Sequence, residues 1–335
     1  MLFSLSCSRV TKLNTVPHDF DQRANRVVWF QIAGLSEEHF AMLRFGVADS
    51  QEKTSFEENL CSGKIWNYNL YKIRPLPHEG FLSQITGKKD IKDACVDYKH
   101  LPIWSYLTKT GHHTGVFETH MAGNFSFEKA WTCGGSSQFV DNLYLWRMKK
   151  KKSTGIDYFH YQEQKPFTKP GIFYDRSCLN RSSGCYSSIF NNSISLYSRF
   201  SIKRKKFLFI VRDFSYYEAL KEGNISKALE ILTEIEKTYA FFNSELKKDK
   251  NMLLLLSTSS NLNFEFPKEG QKWEEFEKSG KNVVYHLPAL ISSVFANGAG
   301  AQNFCGTFEE FEMLKRIIFS HEKSELNLDL FDWIM

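Results

Sequence analysis

The chain reads as one α/β domain, a three-layer sandwich in which a central, mostly parallel sheet is flanked by helices. Three observations predict it. Residues 27–32, 207–211 and 252–256 are short, continuous apolar runs of β-branched, aromatic or leucine side chains, the pattern of strands covered on both faces. The first run is followed by a turn signal and a helical stretch and the second by a strongly periodic helix. Strand–turn–helix units of this kind place ligands beyond the C-terminal ends of the strands. The length of 335 residues, with 42% hydrophobic and 24% charged side chains, suits one large domain with its own core.

Taken in order, residues 1–25 form a leader and linker, and the domain runs over 26–320. Gly34 ends the first strand, Ser36 is placed to cap the next helix, and Glu37 and Glu38 stand where the helix dipole favours acids. Residues 77–86 make a helix: Pro77 suits its first position, Phe81, Leu82 and Ile85 share a face, and Gly87 stops it. Residues 115–119 read as a strand. The stretch 134–200, rich in Ser, Asn, Lys, Tyr and Gly, reads as an inserted excursion over the sheet rather than a separate domain. After the strand at 207–211, Asn224 caps a helix in which Ala228, Leu232, Ile235, Tyr239 and Phe242 lie on one face. The run at 252–256 is a central strand by context, although periodicity alone also fits a buried helix. Val283-Val284-Tyr285 marks a later strand, residues 308–319 a final helix, and 321–335 a C-terminal tail.

Net charge is +5, part of it in Lys149-Lys150-Lys151-Lys152 and Lys203-Arg204-Lys205-Lys206. Such runs can seat phosphates or anionic lipid, but short basic runs are more often solvated loops. With no zinc-finger or RNP-type motif beside them, nucleic acid is disfavoured as a partner. The 30 phenylalanines read first as core. No run of 18 apolar residues is present, so no transmembrane helix is expected.

The cysteines are Cys7, Cys61, Cys95, Cys133, Cys178, Cys185 and Cys305, with no C-x-x-C pair, which disfavours zinc ribbons and thioredoxin-type chemistry. Cys7 follows Leu2-Phe3-Ser4-Leu5-Ser6 and so resembles the end of a bacterial lipoprotein signal, where the cysteine carries the lipid. The basic n-region is missing and the apolar run is short. With Cys7 as a lipid anchor, six cysteines remain for disulfides in an oxidising envelope, and Cys178 and Cys185 are close enough in sequence to pair locally. The competing reading is seven reduced thiols in the cytoplasm. Export, as a periplasmic or membrane-anchored lipoprotein, is slightly favoured.

Five stretches carry a further signal by their order: Gln31-Ile32-Ala33-Gly34-Leu35, residues 76–87 ending in Thr86-Gly87, Phe209-Ile210-Val211-Arg212-Asp213, Ser257-Thr258-Ser259-Ser260-Asn261, and Asn297-Gly298-Ala299-Gly300-Ala301. In sequence they resemble the active-site loops of the alkaline phosphatase superfamily, which includes nucleotide pyrophosphatases, phosphonoacetate hydrolases and sulfatases. The resemblance spans residues 26–310 and leaves 134–200 aside. It implies that a metal-binding Asp belongs where Ala33 stands. The nucleophile, about nine residues before a Thr-Gly pair, falls on Pro77, and Glu79 brings negative charge to that helix start, where a phosphate would dock. Asp213 matches the Asp of the third loop, but Tyr217 occupies the place of its His. Ser260 and Asn261 stand where Asp and His close the fourth loop, and no His lies between His286 and His321.

A two-metal phosphotransfer site needs several carboxylates and imidazoles on each cation. One Asp does not replace them, so no cofactor is expected. Other chemistries find less. His78-Glu79 and His321-Glu322 lack the second His of a zincin, no G-x-S-x-G is present, Gly298-Ala299-Gly300 lacks its third glycine, and Thr86-Gly87-Lys88-Lys89 lacks P-loop spacing. His112, His113 and His120 suggest a metal site, but adjacent strand residues point to opposite faces. Asp213 equally fits a turn cap. The favoured expectation is a non-catalytic, binding or structural protein of a bacterial envelope, with an unknown ligand or envelope protein as partner. The alternative is a divergent, metal-independent phosphoester or sulfoester hydrolase using Ser259 or Ser260 with Asp213. A weaker third idea is binding of anionic surfaces through the lysine runs.

Overall fold

The computed structural model describes residues 24–46, 53–119, 125–133, 137–180, 184–263 and 288–318. Cys7, the proposed strand at 283–285, His120, His286 and His321 lie outside them. Ten strands form one sheet: β1 (Arg26–Ala33), β2 (Cys61–Trp66), β3 (His113–Glu118), β4 (Leu143–Arg147), β5 (Asp157–Phe159), β6 (Gly171–Asp175), β7 (Phe207–Asp213), β8 (Met252–Ser259), β9 (Ile291–Gly298) and β10 (Gly306–Glu309). Their order is β10-β2-β9-β8-β1-β7-β3-β4-β6-β5. Only β9 runs antiparallel, to β2 and β8; the other neighbours are parallel.

The continuous apolar runs follow from this three-layer build. Along β1, Val28, Phe30 and Ile32 face one core while Val27 and Trp29 face the other, because strand side chains alternate. β7 and β8 repeat the division, with Phe207, Phe209, Leu254 and Leu256 on the first face and Leu208, Ile210, Leu253 and Leu255 on the second. The first face is covered by α1 (His39–Gly46), α6 (Ile189–Ser201), α7 (Ser215–Lys221) and α8 (Ile225–Leu246). The second is covered by α2 (Pro77–Thr86), α3 (Ile103–Thr108), α4 (Glu128–Thr132), α5 (Ser137–Val140) and α9 (Met313–Ile318). The stripe expected on α8 is buried, and the Asn224 side chain accepts from Lys227 N at 3.1 Å as its cap.

Three expectations are corrected. The stretch 134–200 does not pass over the sheet: β4, β6 and β5 extend it beyond β3, and α6 covers it. Residues 308–319 do not form one helix, because residues 306–309 pair with β2 and the helix begins only at Met313. Ladder pairing there overrides a helical spacing. Ser36 does not cap α1 with its hydroxyl; its carbonyl accepts from His39 N at 3.1 Å and its amide donates to His39 Nδ1 at 3.3 Å.

Candidate functional site

The C-terminal ends of β1, β7 and β8 meet the start of α2, and this junction gathers the first four motif stretches; the fifth, residues 297–301, lies at the other end of the sheet, where Asn297 and Gly298 pair with the start of β8. Ala33 pairs with Ser259 across β1 and β8, and Ile32 pairs with Asp213 across β1 and β7. Gly34, at φ +80°, turns the chain directly over α7. A Cβ there would lie 3.0 Å from the Tyr217 ring and 3.2 Å from its Cα, so a side chain would be strained by the positive φ and would crowd α7. Ser260 takes a left-handed φ of 53° and donates to Pro75 O at 2.7 Å, tying the tip of β8 to the chain entering α2. Pro77 opens α2, whose Glu79 carboxylate accepts from Leu76 N at 2.6 Å.

Chemically this junction is closed. Asp213 Oδ1 accepts from the Thr119 and Ser215 hydroxyls, and Oδ2 accepts from Tyr216 N at 2.9 Å. Its carboxylate therefore caps α7. Asp213 and Ser259 stand on the strands flanking β1, roughly 10 Å apart at two strand spacings, and the Asp213 carboxylate bonds to Thr119, Ser215 and Tyr216 rather than to Ser259. Asn261 Oδ1 accepts from Ser292 Oγ at 2.8 Å. Tyr217 is buried, and desolvation raises its phenol above the ordinary value. Ala33, Pro77, Tyr217, Ser260 and Asn261 are thus brought together as the sequence implied, but as packing and turn residues.

A buried polar cluster beneath α2 was not foreseen. Trp29 Nε1 donates to Ser257 Oγ at 2.8 Å, Ser257 donates to Gln84 Oε1 at 2.7 Å, and Gln84 Nε2 donates to Glu310 Oε1 at 3.0 Å. Burial pushes the Glu310 carboxyl up to about 7, against the lowering effect of Ser259 and Gln84. The backbone of Gly80 allows this approach, since a Cβ there would come within 2.6 Å of Glu310 Oε1 and closer still to Ser259 Oγ. The polar residues Gln31 and Gln84 among apolar neighbours were the available signal; the partnership of Gln84 with Glu310, far along the chain, was not.

Two more buried assemblies occupy the same edge. His39 Nε2 donates to Leu262 O at 2.8 Å while Nδ1 accepts from Tyr216 Oη at 2.8 Å, and burial brings its pKa down to about 3. Glu118, at the end of β3, accepts from Arg212 at 2.6 Å and lies 3.2 Å from Arg147 Nε, and Arg147 reaches on to Glu128. Arg212 also stacks 3.5 Å above the Phe127 ring. These cations and anions neutralise one another inside the protein.

A metal does not fit the motif junction, because Asp213 is engaged by three donors, Glu79 by Leu76 N and Lys72, and the remaining motif positions are methyl, ring, hydroxyl and amide groups. Elsewhere among the described residues, Asp175, Cys178 and Cys185 bring ligand atoms within 4.8 Å of one another. Cys178 and Cys185, however, are joined as a disulfide, leaving no thiolate. Cys61 pairs with Cys305 and Cys95 with Cys133. His112 Nδ1 contacts Thr110 Oγ1 at 2.9 Å. It precedes β3, at the sheet edge opposite the junction, and does not build a site with His113. A cavity of about 570 Å³ beside α1 is lined by Phe40, Phe56, Phe295, Arg44 and Glu57.

This order of strands and helices is that of the alkaline phosphatase fold. The chain superposes on alkaline phosphatase from the Antarctic bacterium TAB5 with a TM-score of 0.65 and 12% identity, covering 89% of this chain and 97% of that one. It matches the cold-active alkaline phosphatase of a psychrophilic Shewanella species with a TM-score of 0.66 and 11% identity, over 87% and 98% of the two chains. The lipoteichoic acid synthase LtaP from Listeria monocytogenes matches at a TM-score of 0.51 and 11% identity, over 88% and 72%. At these identities the likeness is one of fold. No protein-family model and no curated sequence matches the chain. No helix among the described residues is long and apolar enough to cross a membrane.

Proposed function

We propose that this chain is a non-catalytic protein built on the alkaline phosphatase fold, with a binding or structural role in a bacterial cell envelope. The observation that carries this reading is the state of Asp213. The sole ligand-type residue at the motif positions is held by Thr119, Ser215 and the Tyr216 amide, and the neighbouring hydroxyl of Ser260 is bonded to backbone. Purified protein is expected to show no turnover of phosphomonoester, phosphodiester or sulfate ester reporters. A rate abolished by Asp213→Ala or Ser260→Ala would instead establish a hydrolase.

The envelope location draws support from three disulfides, which persist in oxidising compartments, and from the likeness to a lipoteichoic acid synthase. Cys7→Ser tests the anchor. Release of the protein from the membrane fraction into a high-salt wash, which weakens any peripheral electrostatic contact, is expected, and retention after that wash would remove the lipid from the account.

A further inference from the structure

We propose that the loop between β2 and α2, residues 67–76, docks the protein on an anionic lipid bilayer surface. Within seven residues this loop exposes four large apolar side chains, Leu70 at 65%, Tyr71 at 54%, Ile73 at 70% and Leu76 at 38%. Lys72 and Arg74 alternate with them. A cluster of this kind on one short loop is distinct from the scattered exposed apolar residues of ordinary surfaces.

The loop is held rigidly. Asn69 Oδ1 accepts from Tyr71 N at 2.8 Å and Lys72 N at 2.7 Å, forming a closed turn. Leu70 N donates to Lys89 O at 3.0 Å, Asn67 N to Leu290 O at 2.7 Å, and Arg74 Nε to Pro288 O at 2.9 Å. Pro75 O receives the Ser260 hydroxyl described above. The apolar tips are therefore presented by a framework that loses little freedom when they are buried.

Charge selects the partner. Residues 67–92 carry Lys72, Arg74, Lys88, Lys89 and Lys92 against Glu79 and Asp90; Lys89 is paired with Glu309 at 2.7 Å, which leaves Arg74, Lys88 and Lys92 as the cations of this stretch not paired with a carboxylate among the described residues. Glu79 is buried beneath Lys72, 2.7 Å away, and Asp90 lies 3.7 Å from His100. Lys92 sits 5.0 Å from the Tyr71 ring centroid, which places a cation beside the apolar tips. Long basic side chains keep their heads among lipid phosphates while neighbouring leucine and aromatic groups enter the acyl boundary. A second copy of the chain would instead set these cations against their own counterparts across a two-fold interface. The lysine runs are less suited to the task. Lys149 and Lys151 pair with Glu128 at 3.4 and 2.9 Å, and Arg204 is bonded to Phe167 O at 2.7 Å and to Tyr144 Oη at 3.2 Å.

This inference extends the envelope reading by naming what the chain touches. Its test uses purified protein, so it succeeds or fails regardless of where a cell places the chain. The full chain carrying Cys7→Ser, which removes any lipid anchor, is sedimented with vesicles of phosphatidylglycerol and phosphatidylcholine in equal parts, and with phosphatidylcholine alone. Binding is expected to the anionic vesicles, weakened by salt, and reduced by at least about tenfold in Leu70→Ser/Ile73→Ser. Lys88→Gln/Lys92→Gln is expected to lower anionic binding by about tenfold as well, with circular dichroism confirming that both variants stay folded. No vesicle binding, equal binding to both vesicle types, or full binding by the Leu70/Ile73 variant would overturn the proposal. So would light scattering that shows a dimer lost in that variant without any vesicle binding.

Discussion

Asp213 separates two accounts of a single residue. As a helix cap it contributes stability, and Asp213→Ala is expected to lower the free energy of urea unfolding by about 1–2 kcal/mol. Chemistry is not expected to change, because its carboxylate already serves three donors of its own chain. Glu310 offers a second test through pH. Its folded-state value of about 7 lies above its ordinary 4.5 because of burial, so the folded protein holds a proton that the unfolded chain releases. The group is neutral to stability below about pH 4.5 and destabilising by up to about 3 kcal/mol once pH passes 7. Glu310→Gln, which keeps a partner for Gln84 and Ser259, should therefore melt higher than the parent at about pH 8 and match it at about pH 4. Equal melting temperatures at both values would remove Glu310 from the account. His39 works in the other direction. Burial brings its folded value to about 3 from 6.5, so its contribution is lost as pH falls from 6.5 toward 3.

At the scale of elements, the strands legible in the sequence are those buried on both faces. β1, β7 and β8 are unbroken apolar runs because each faces two cores. β4 and β6 are just as much part of the sheet, yet they lie in a stretch whose Ser, Asn, Lys and Gly content reads as surface. β9 begins Ile291-Ser292-Ser293, and its two serines are buried by bonding to Asn67, Asn261 and Thr258 rather than by being apolar. Partners that distant are invisible to local patterning. The same limit hid the cluster of Trp29, Ser257, Gln84 and Glu310. The convergence of Ala33, Pro77, Asp213 and Ser260 was visible, because each sits at a strand end or helix start. The edge of the sheet gives its own test. Cys61, in β2, is bridged to Cys305 just before β10 across 244 residues of sequence. A double Cys61→Ser/Cys305→Ser variant is expected to lose up to about 5 kcal/mol in the chain-entropy account, read as a lower urea midpoint, and an unchanged midpoint would show that strand pairing alone secures this edge.

For the molecule as a whole, the proposed function separates fold from chemistry. The sheet keeps the alkaline phosphatase arrangement at 11–12% identity to the compared enzymes. At its C-terminal edge stand a capped helix, a neutral buried His39, a buried Glu310 held by Gln84 and a buried Glu118 held by Arg212. The carboxylates of Asp213, Glu118 and Glu310 there are each bonded within the chain. Metal content after loading tests this most directly. The purified full chain, incubated with zinc, manganese, magnesium or calcium and then desalted, is expected to retain far less than one equivalent of any of them by elemental analysis. Retention of one or more equivalents, lost on Asp213→Ala in a variant that still folds, would contradict the account.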